Sequence, residues 1–143
     1  MLFSRDLEIA FGDCDPAGIV FYPNYFRFFD TSTAMLFAEA LGMKQAEWAA
    51  RYDVLGIPMV DTGSSFKRPS RFGDVVTITT EIIACRRSSF DVHHQLFNGG
   101  QLAVEGRETR VWVGRDSQNP GGIRAKALPA EVVRALGHEP AEG

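Results

Sequence analysis

Residues 11–30 of the chain, FGDCDPAGIVFYPNYFRFFD, put a carboxylate, a glycine turn and a helix start within a few positions of one another. Asp15 is followed by Pro16, Ala17 and Gly18, a tight-turn composition, and Pro23 opens a long apolar stretch as proline favours the first turn of a helix. A carboxylate beside a helix N-terminus offers an attacking group or general base. The free backbone N–H groups there can hold a developing oxyanion, and one such donor is typically worth about 3 kcal/mol of transition-state stabilisation. That is apparatus for acyl transfer. On residue types alone, Asp15 is equally a turn carboxylate that accepts nearby backbone N–H bonds.

Other polar residues have a chemical and a structural reading of the same kind. Asp13 stands two positions before Asp15 and is expected to support the loop, and Cys14 is expected to be a small core residue rather than a nucleophile. Asp30 falls inside the apolar stretch, where an ionised carboxylate needs a partner; Arg27, three residues earlier, is the local candidate. Arg86-Arg87 sits between two strand-like runs and suits phosphate, although two arginines at a turn are often only solvated charges. His93 and His94 fall on opposite faces of a strand, with His94 on the side of Phe90, Val92 and Leu96 as a core histidine.

The elements that must position these groups follow from periodicity. Residues 2–11 alternate, with Phe3, Leu7, Ile9 and Phe11 on one face, Ser4, Asp6 and Glu8 on the other, and Arg5 out of pattern. Residues 23–41 are apolar nearly all round and Gly42 is a natural stop, which predicts a buried central helix. A short helix is expected over 45–52, before Gly56 and Pro58, and another over 129–136. The rest is strand-like: 57–72, 75–85, 89–97 and 102–113, with turns at Gly73-Asp74 and Asn98-Gly99-Gly100. A sheet of these strands has one face to bury and must cover the long helix.

With 143 residues and 45% hydrophobic content, the chain is expected to form one domain over 1–137, followed by a flexible tail at 138–143. A net charge of −3 gives no global attraction to nucleic acid, so an anionic ligand would need a local cluster of bases. Cys14, Cys85 and the three histidines lack metal-ligand spacing, and neither a metal nor a disulfide is expected. No apolar run approaches the ~20 residues that span a bilayer, and the charged start MLFSRDLEIAFGD lacks the apolar core of a signal peptide. No membrane association and a cytoplasmic location are expected.

Asp13, Asp15-Pro16-Ala17-Gly18-Ile19-Val20 and Tyr22-Pro23-Asn24-Tyr25 together resemble the signature of the 4-hydroxybenzoyl-CoA thioesterase family. The likeness continues more loosely through Ser65-Phe66, Asp74-Val75, Arg86-Arg87, Ser89-Phe90 and Arg110-Val111. The resemblance implies an α+β hot-dog fold, an antiparallel β-sheet wrapped around a long central α-helix, that hydrolyses acyl-CoA thioesters without a cofactor, coenzyme A being part of the substrate. It makes Asp15 the catalytic nucleophile or general base, and the Tyr22 backbone N–H the group that polarises the thioester carbonyl, with Gly18 allowing close backbone approach. It assigns Asp30 to a hydroxyl on the acyl ring and Trp48 to the acyl pocket. Arg86, Arg87 and Ser89 fall to the coenzyme A end. Ser88 stands where the family often has a third base, for which Lys67, Arg68 and Arg71 are candidate replacements. It further implies a homodimer or homotetramer (a dimer of dimers) whose sites lie between subunits that pair their sheets. An aromatic acyl group, 4-hydroxybenzoyl above all, is the expected substrate. The alternatives are a short-chain aliphatic acyl-CoA, an acyl-carrier-protein thioester, or a non-catalytic acyl-CoA-binding module.

Overall fold

Alternation at the start of the chain makes an edge strand. In the computed structural model, which describes residues 1–141, strand β1 (Leu2–Glu8) turns Phe3, Arg5 and Leu7 inward. Arg5 breaks the apolar pattern because it has partners inside: its Nε donates to Ser32 Oγ at 2.7 Å and its Nη2 to the Phe28 carbonyl at 2.9 Å. The strand is shorter than the alternation predicts. Phe11–Asp13 forms a 3-10 turn and Phe11 is 78% exposed, so it does not join the inner face; Ile9 is the last residue to reach the core.

Helix α1 (Pro23–Leu41) begins on its proline and ends at Gly42, whose φ of 68° is the left-handed stop expected there. Its buried residues, Tyr25, Phe28, Phe29, Ser32, Thr33, Leu36 and Phe37, repeat at three- and four-residue steps. Arg27, Asp30, Thr31, Ala34 and Met35 stay exposed, so the helix is covered on one side rather than buried all round. Helix α2 (Gln45–Tyr52) follows as expected and buries Trp48.

Strand β2 (Met59–Phe66) stops short of residue 72, because the N–H groups of Lys67 and Arg68 both turn onto the Ala103 carbonyl (2.8 and 3.1 Å) and Pro69 has none to offer. β3 (Val75–Cys85), β4 (Ser89–Asn98) and β5 (Gln101–Val111) complete an antiparallel sheet of order β1-β3-β4-β5-β2. Gly99 and Gly100, with φ of 61° and 76°, make the two-residue hairpin between β4 and β5. The expected run to residue 113 breaks at Trp112, and a small hairpin of β6 (Val113–Arg115) and β7 (Ile123–Ala125) follows. Helix α3 (Ala130–Ala135) closes one end. The beginning of the expected tail is tied down, since His138 Nε2 donates to the Ile82 carbonyl at 2.6 Å; residues 142 and 143 of that tail lie outside the described residues.

A long helix held against an antiparallel sheet is the hot-dog arrangement of the α+β class. Two apolar clusters fill the space between them. One gathers Phe37, Trp48, Ile82, Phe90, Trp112 and residues of α3; the other gathers Ile9, Val20, Phe28, Phe29, Ile78 and Leu96. Among the described residues no helix is long and apolar enough to cross a membrane.

Candidate active site

The segment from Cys14 to Val20 is a miniature hairpin, its ends joined by a bridge between those two residues. Asp15 N–H donates to the Ile19 carbonyl at 2.8 Å and Gly18 N–H to the Asp15 carbonyl at 2.9 Å, with Pro16 at the position where its fixed φ suits the turn. Gly18 then takes φ 81°, the left-handed residue that closes a three-residue loop. A Cβ on Gly18 would meet nothing within 4 Å, so within one chain the glycine answers to backbone conformation.

The two readings of Asp15 meet in one side chain. Its Oδ1 accepts Ala17 N–H at 2.9 Å and Ile19 N–H at 3.5 Å, which holds the turn. No hydrogen bond reaches Oδ2 among the described residues, so one oxygen remains available for chemistry. Asp13 supports the loop, as expected: Oδ2 accepts Ala10 N–H, Oδ1 pairs with Arg27, and its carbonyl takes Phe21 N–H and Asn24 Nδ2, all at 2.9 Å except the ion pair at 2.5 Å. These bonds tie the loop to the start of α1.

At that start the donors are used up in order. Asn24 N–H goes to Phe21 O and Tyr25 N–H to Tyr22 O, and Pro23 has no N–H. Tyr22 N–H donates no hydrogen bond among the described residues and sits at the positive end of the helix dipole. Beside it lies a cavity of about 340 Å³ whose walls include Ile19, Tyr22, Tyr25 and Phe66, with Lys67 and Arg68 on its rim.

Asp30 differs from its expected setting. Its side chain is 66% exposed, and its partner is Arg110, whose Nη2 donates to Oδ1 at 2.7 Å, rather than Arg27. Arg110 is itself buried: Nε and Nη2 hold Glu108 at 3.0 Å each, and Nη1 donates to the Ile57 carbonyl at 3.0 Å. Burial alone would lower the Arg110 pKa, but the bonds and charges of Glu108 and Asp30 raise it above the usual guanidinium value. Burial alone would raise that of Glu108, yet His94 and Arg110 together bring it down to about 2. His94 is wholly buried and stacked on Phe29, the core histidine expected.

Among the described residues Trp48 is a core side chain rather than a cavity wall. It is fully buried between Phe37 and Trp112, because α2 turns it into the core with Ala49 and Tyr52 packed beside it. Neither indole N–H of the two tryptophans has a partner among the described residues. Arg86 is engaged within its own turn, with both terminal nitrogens on Asp91 (3.0 and 2.6 Å) and Nε on Ser89 Oγ at 2.8 Å. Hydrogen bonding by Arg86 holds the Asp91 carboxyl below the usual carboxylate range. Arg86 and Arg87 together line a cavity of about 420 Å³, and Arg87 also lines one of about 400 Å³ with Arg115, Arg124 and Lys126. The sequence reading missed these three bases. The Asn119-Pro120-Gly121-Gly122 turn signal could have found them, since it folds Arg115 and Arg124 back onto one hairpin.

The two charged regions stand at opposite ends of the subunit. The Asp15 loop is anchored beside the start of β3, through Ile19 with Arg71 and Val20 N–H to Ser70 O, whereas Arg86 and Arg87 follow its last residue. Eleven residues of strand separate them by about 35 Å. Lys67, Arg68 and Arg71 stand at the Asp15 end of the subunit, away from Ser88 of the same chain.

The profile of the thioesterase-like superfamily matches residues 9–136. The chain is 35% identical, over 88% of its length and 91% of the relative's, to the 4-hydroxybenzoyl-CoA thioesterase of Pseudomonas sp. (strain CBS-3). Among solved structures it resembles an Asp→Asn variant of 4-hydroxybenzoyl-CoA thioesterase complexed with 4-hydroxybenzoyl-CoA, with TM-score 0.85, 33% identity and coverage of 94% and 98% of the two chains. A gentisyl-coenzyme A thioesterase is similar too, with TM-score 0.78, 31% identity and the same coverage.

Proposed function

The chain belongs to the thioesterase-like superfamily, as a thioester hydrolase, and from that membership we propose that it hydrolyses an aromatic acyl-CoA, 4-hydroxybenzoyl-CoA foremost, to the free acid and coenzyme A. One observation carries the reading: the unengaged Asp15 Oδ2 and the undonated Tyr22 N–H belong to one loop at the start of α1. The similarity to enzymes named for 4-hydroxybenzoyl- and gentisyl-CoA, both aromatic, supports the substrate class.

In this proposal the thioester carbonyl oxygen accepts Tyr22 N–H, and the helix dipole favours the negative charge that develops there. Asp15 Oδ2 attacks the carbonyl carbon, the C–S bond breaks, and coenzyme A leaves as thiolate to take a proton from water. Water then hydrolyses the aspartyl anhydride. The other route has Asp15 take the proton of a water that attacks the same carbon. Neither route calls for a metal or cofactor.

Coenzyme A carries three phosphates, and the cavity shared by Arg87, Arg115, Arg124 and Lys126 is the basic cluster suited to them. It lies too far from Asp15 of the same chain to serve one substrate molecule, so the site is proposed to form between two copies. Strand β2 is an open edge of the sheet at which a second sheet can continue, in a homodimer or a homotetramer of two such pairs. A cytoplasmic setting, where coenzyme A is the acyl carrier, completes the proposal.

The test is a panel of aromatic and aliphatic CoA thioesters, scored by kcat/KM on the wild type and Asp15→Asn. Preference for hydroxylated benzoyl esters is the expected result. A preference for butyryl- or hexanoyl-CoA would move the assignment to aliphatic substrates, and binding without turnover would make the protein an acyl-CoA-binding module.

A further inference from the structure

A layer of polar side chains runs between the two apolar clusters. Along β3 the sequence passes from Ile78 through Thr80 to Ile82, along β4 from Leu96 through His94 to Val92, and along β5 from Val104 through Glu108 and Arg110 to Trp112 just past its end. Helix α1 contributes Thr33 between Phe29 and Leu36. His94 Nε2 faces two acceptors, Glu108 Oε1 at 3.1 Å and Thr33 Oγ1 at 3.3 Å, while Thr33 spends its own proton on Glu108 at 2.8 Å. Nε2 is thus a donor, and Nδ1 meets the Thr80 hydroxyl at 2.8 Å. Each member fixes the next, and the series ends at the surface on Asp30.

Burying Glu108 and Arg110, 3% and 5% exposed, carries a desolvation cost that apolar residues of the same size would avoid. We infer that this layer serves acyl-group selection, with Arg110 as the positioning residue of Asp30: clamped by Glu108 and the Ile57 carbonyl, it takes Asp30 Oδ1 and leaves Oδ2 as the acceptor for the far end of the acyl group. The inference rests on the proposed aromatic substrate and on the ring-hydroxyl role that the family resemblance gives Asp30. Four of Arg110's five N–H groups are committed, so the guanidinium cannot swing, and an aspartate on an exposed helix face is held in one orientation. Asp30 presents its carboxylate at the surface end of this layer. The acyl group favoured here bears a hydrogen-bond donor at its far end, and one ending in a carboxylate is repelled.

The experiment compares kcat/KM for 4-hydroxybenzoyl-CoA and benzoyl-CoA in wild type, Asp30→Ala, Arg110→Lys and the double variant. Arg110→Lys keeps a charge beside Glu108 but loses the planar fork that reaches both carboxylates. The wild-type preference for the hydroxylated ester should be roughly ten- to a hundredfold. Arg110→Lys should reduce that ratio to near the Asp30→Ala value, and the double variant should lose no more. A merely structural arginine would lower both substrates alike and leave the ratio unchanged. Absence of preference in the wild type would remove the Asp30 reading and this inference with it. A preference that depends on Asp30 but survives Arg110→Lys would overturn the inference alone. If Arg110→Lys does not fold, Arg110→Gln is measured in its place; failure of both to fold would make the layer structural and also overturn it.

Discussion

Asp15 has two carboxylate oxygens with different duties. Oδ1 holds the turn through Ala17 N–H, and an amide oxygen can do the same, so Asp15→Asn should stay folded. Its kcat should fall at least ~10²-fold with KM little changed, because the lost group acts in the transition state. Steady-state kinetics on the folded variant check this, and near-normal turnover would remove Asp15 from the mechanism. The two arginines of the basic turn should behave differently from each other. Arg86 is spent on Asp91 and Ser89, so Arg86→Ala should mainly loosen the turn. Arg87→Ala and Arg124→Ala should raise KM for CoA thioesters and weaken its salt dependence, with little effect on a truncated thioester that has no nucleotide. Equal losses on both substrates would place the pair outside phosphate binding.

At the scale of elements, Gly18→Ala separates backbone conformation from contact. The position has open space but φ 81°, so the substitution should cost about 1–2 kcal/mol by strain alone, read as a lower denaturation midpoint. An unchanged midpoint would show that the loop re-forms without its left-handed residue. The long helix and β3 were legible because their signals are local: Pro23 and Gly42 bracket one, and Val76, Ile78 and Ile82 alternate in the other. Where the sequence misled, the cause is tertiary. Phe11 alternates correctly but follows the point where the chain turns away, and β2 ends early because two N–H groups converge on the Ala103 carbonyl. Arg27 was the local candidate partner of Asp30, because an apolar stretch does not say which of its faces the sheet will cover. The actual partner of Asp30 lies 80 residues away, beyond any helical spacing rule. Trp48 was legible as a large aromatic on a short helix, but only packing against Trp112 tells core from pocket.

For the molecule as a whole, the buried layer sets the response to acid. The Glu108 pKa is depressed to about 2, so the unfolded chain binds its proton first and stability falls as pH falls. The contribution is fully present above about pH 4.5 and is lost as the pH drops towards about 2. Its size is on the order of 3 kcal/mol. Denaturation midpoints at fixed protein concentration should decline through this window, and Glu108→Gln should flatten the decline; an equally steep acid limb in that variant would assign it elsewhere. The same architecture separates the distal core from the chemistry. Both tryptophans of the chain lie there, fully buried and stacked with ring centres 5.4 Å apart at 16°. Their fluorescence and near-ultraviolet dichroism thus form one optical reporter on the packing of α2 and α3. Unfolding can be followed by that signal as a report on the distal core, and loss of turnover then dates the failure of the Asp15 loop against it.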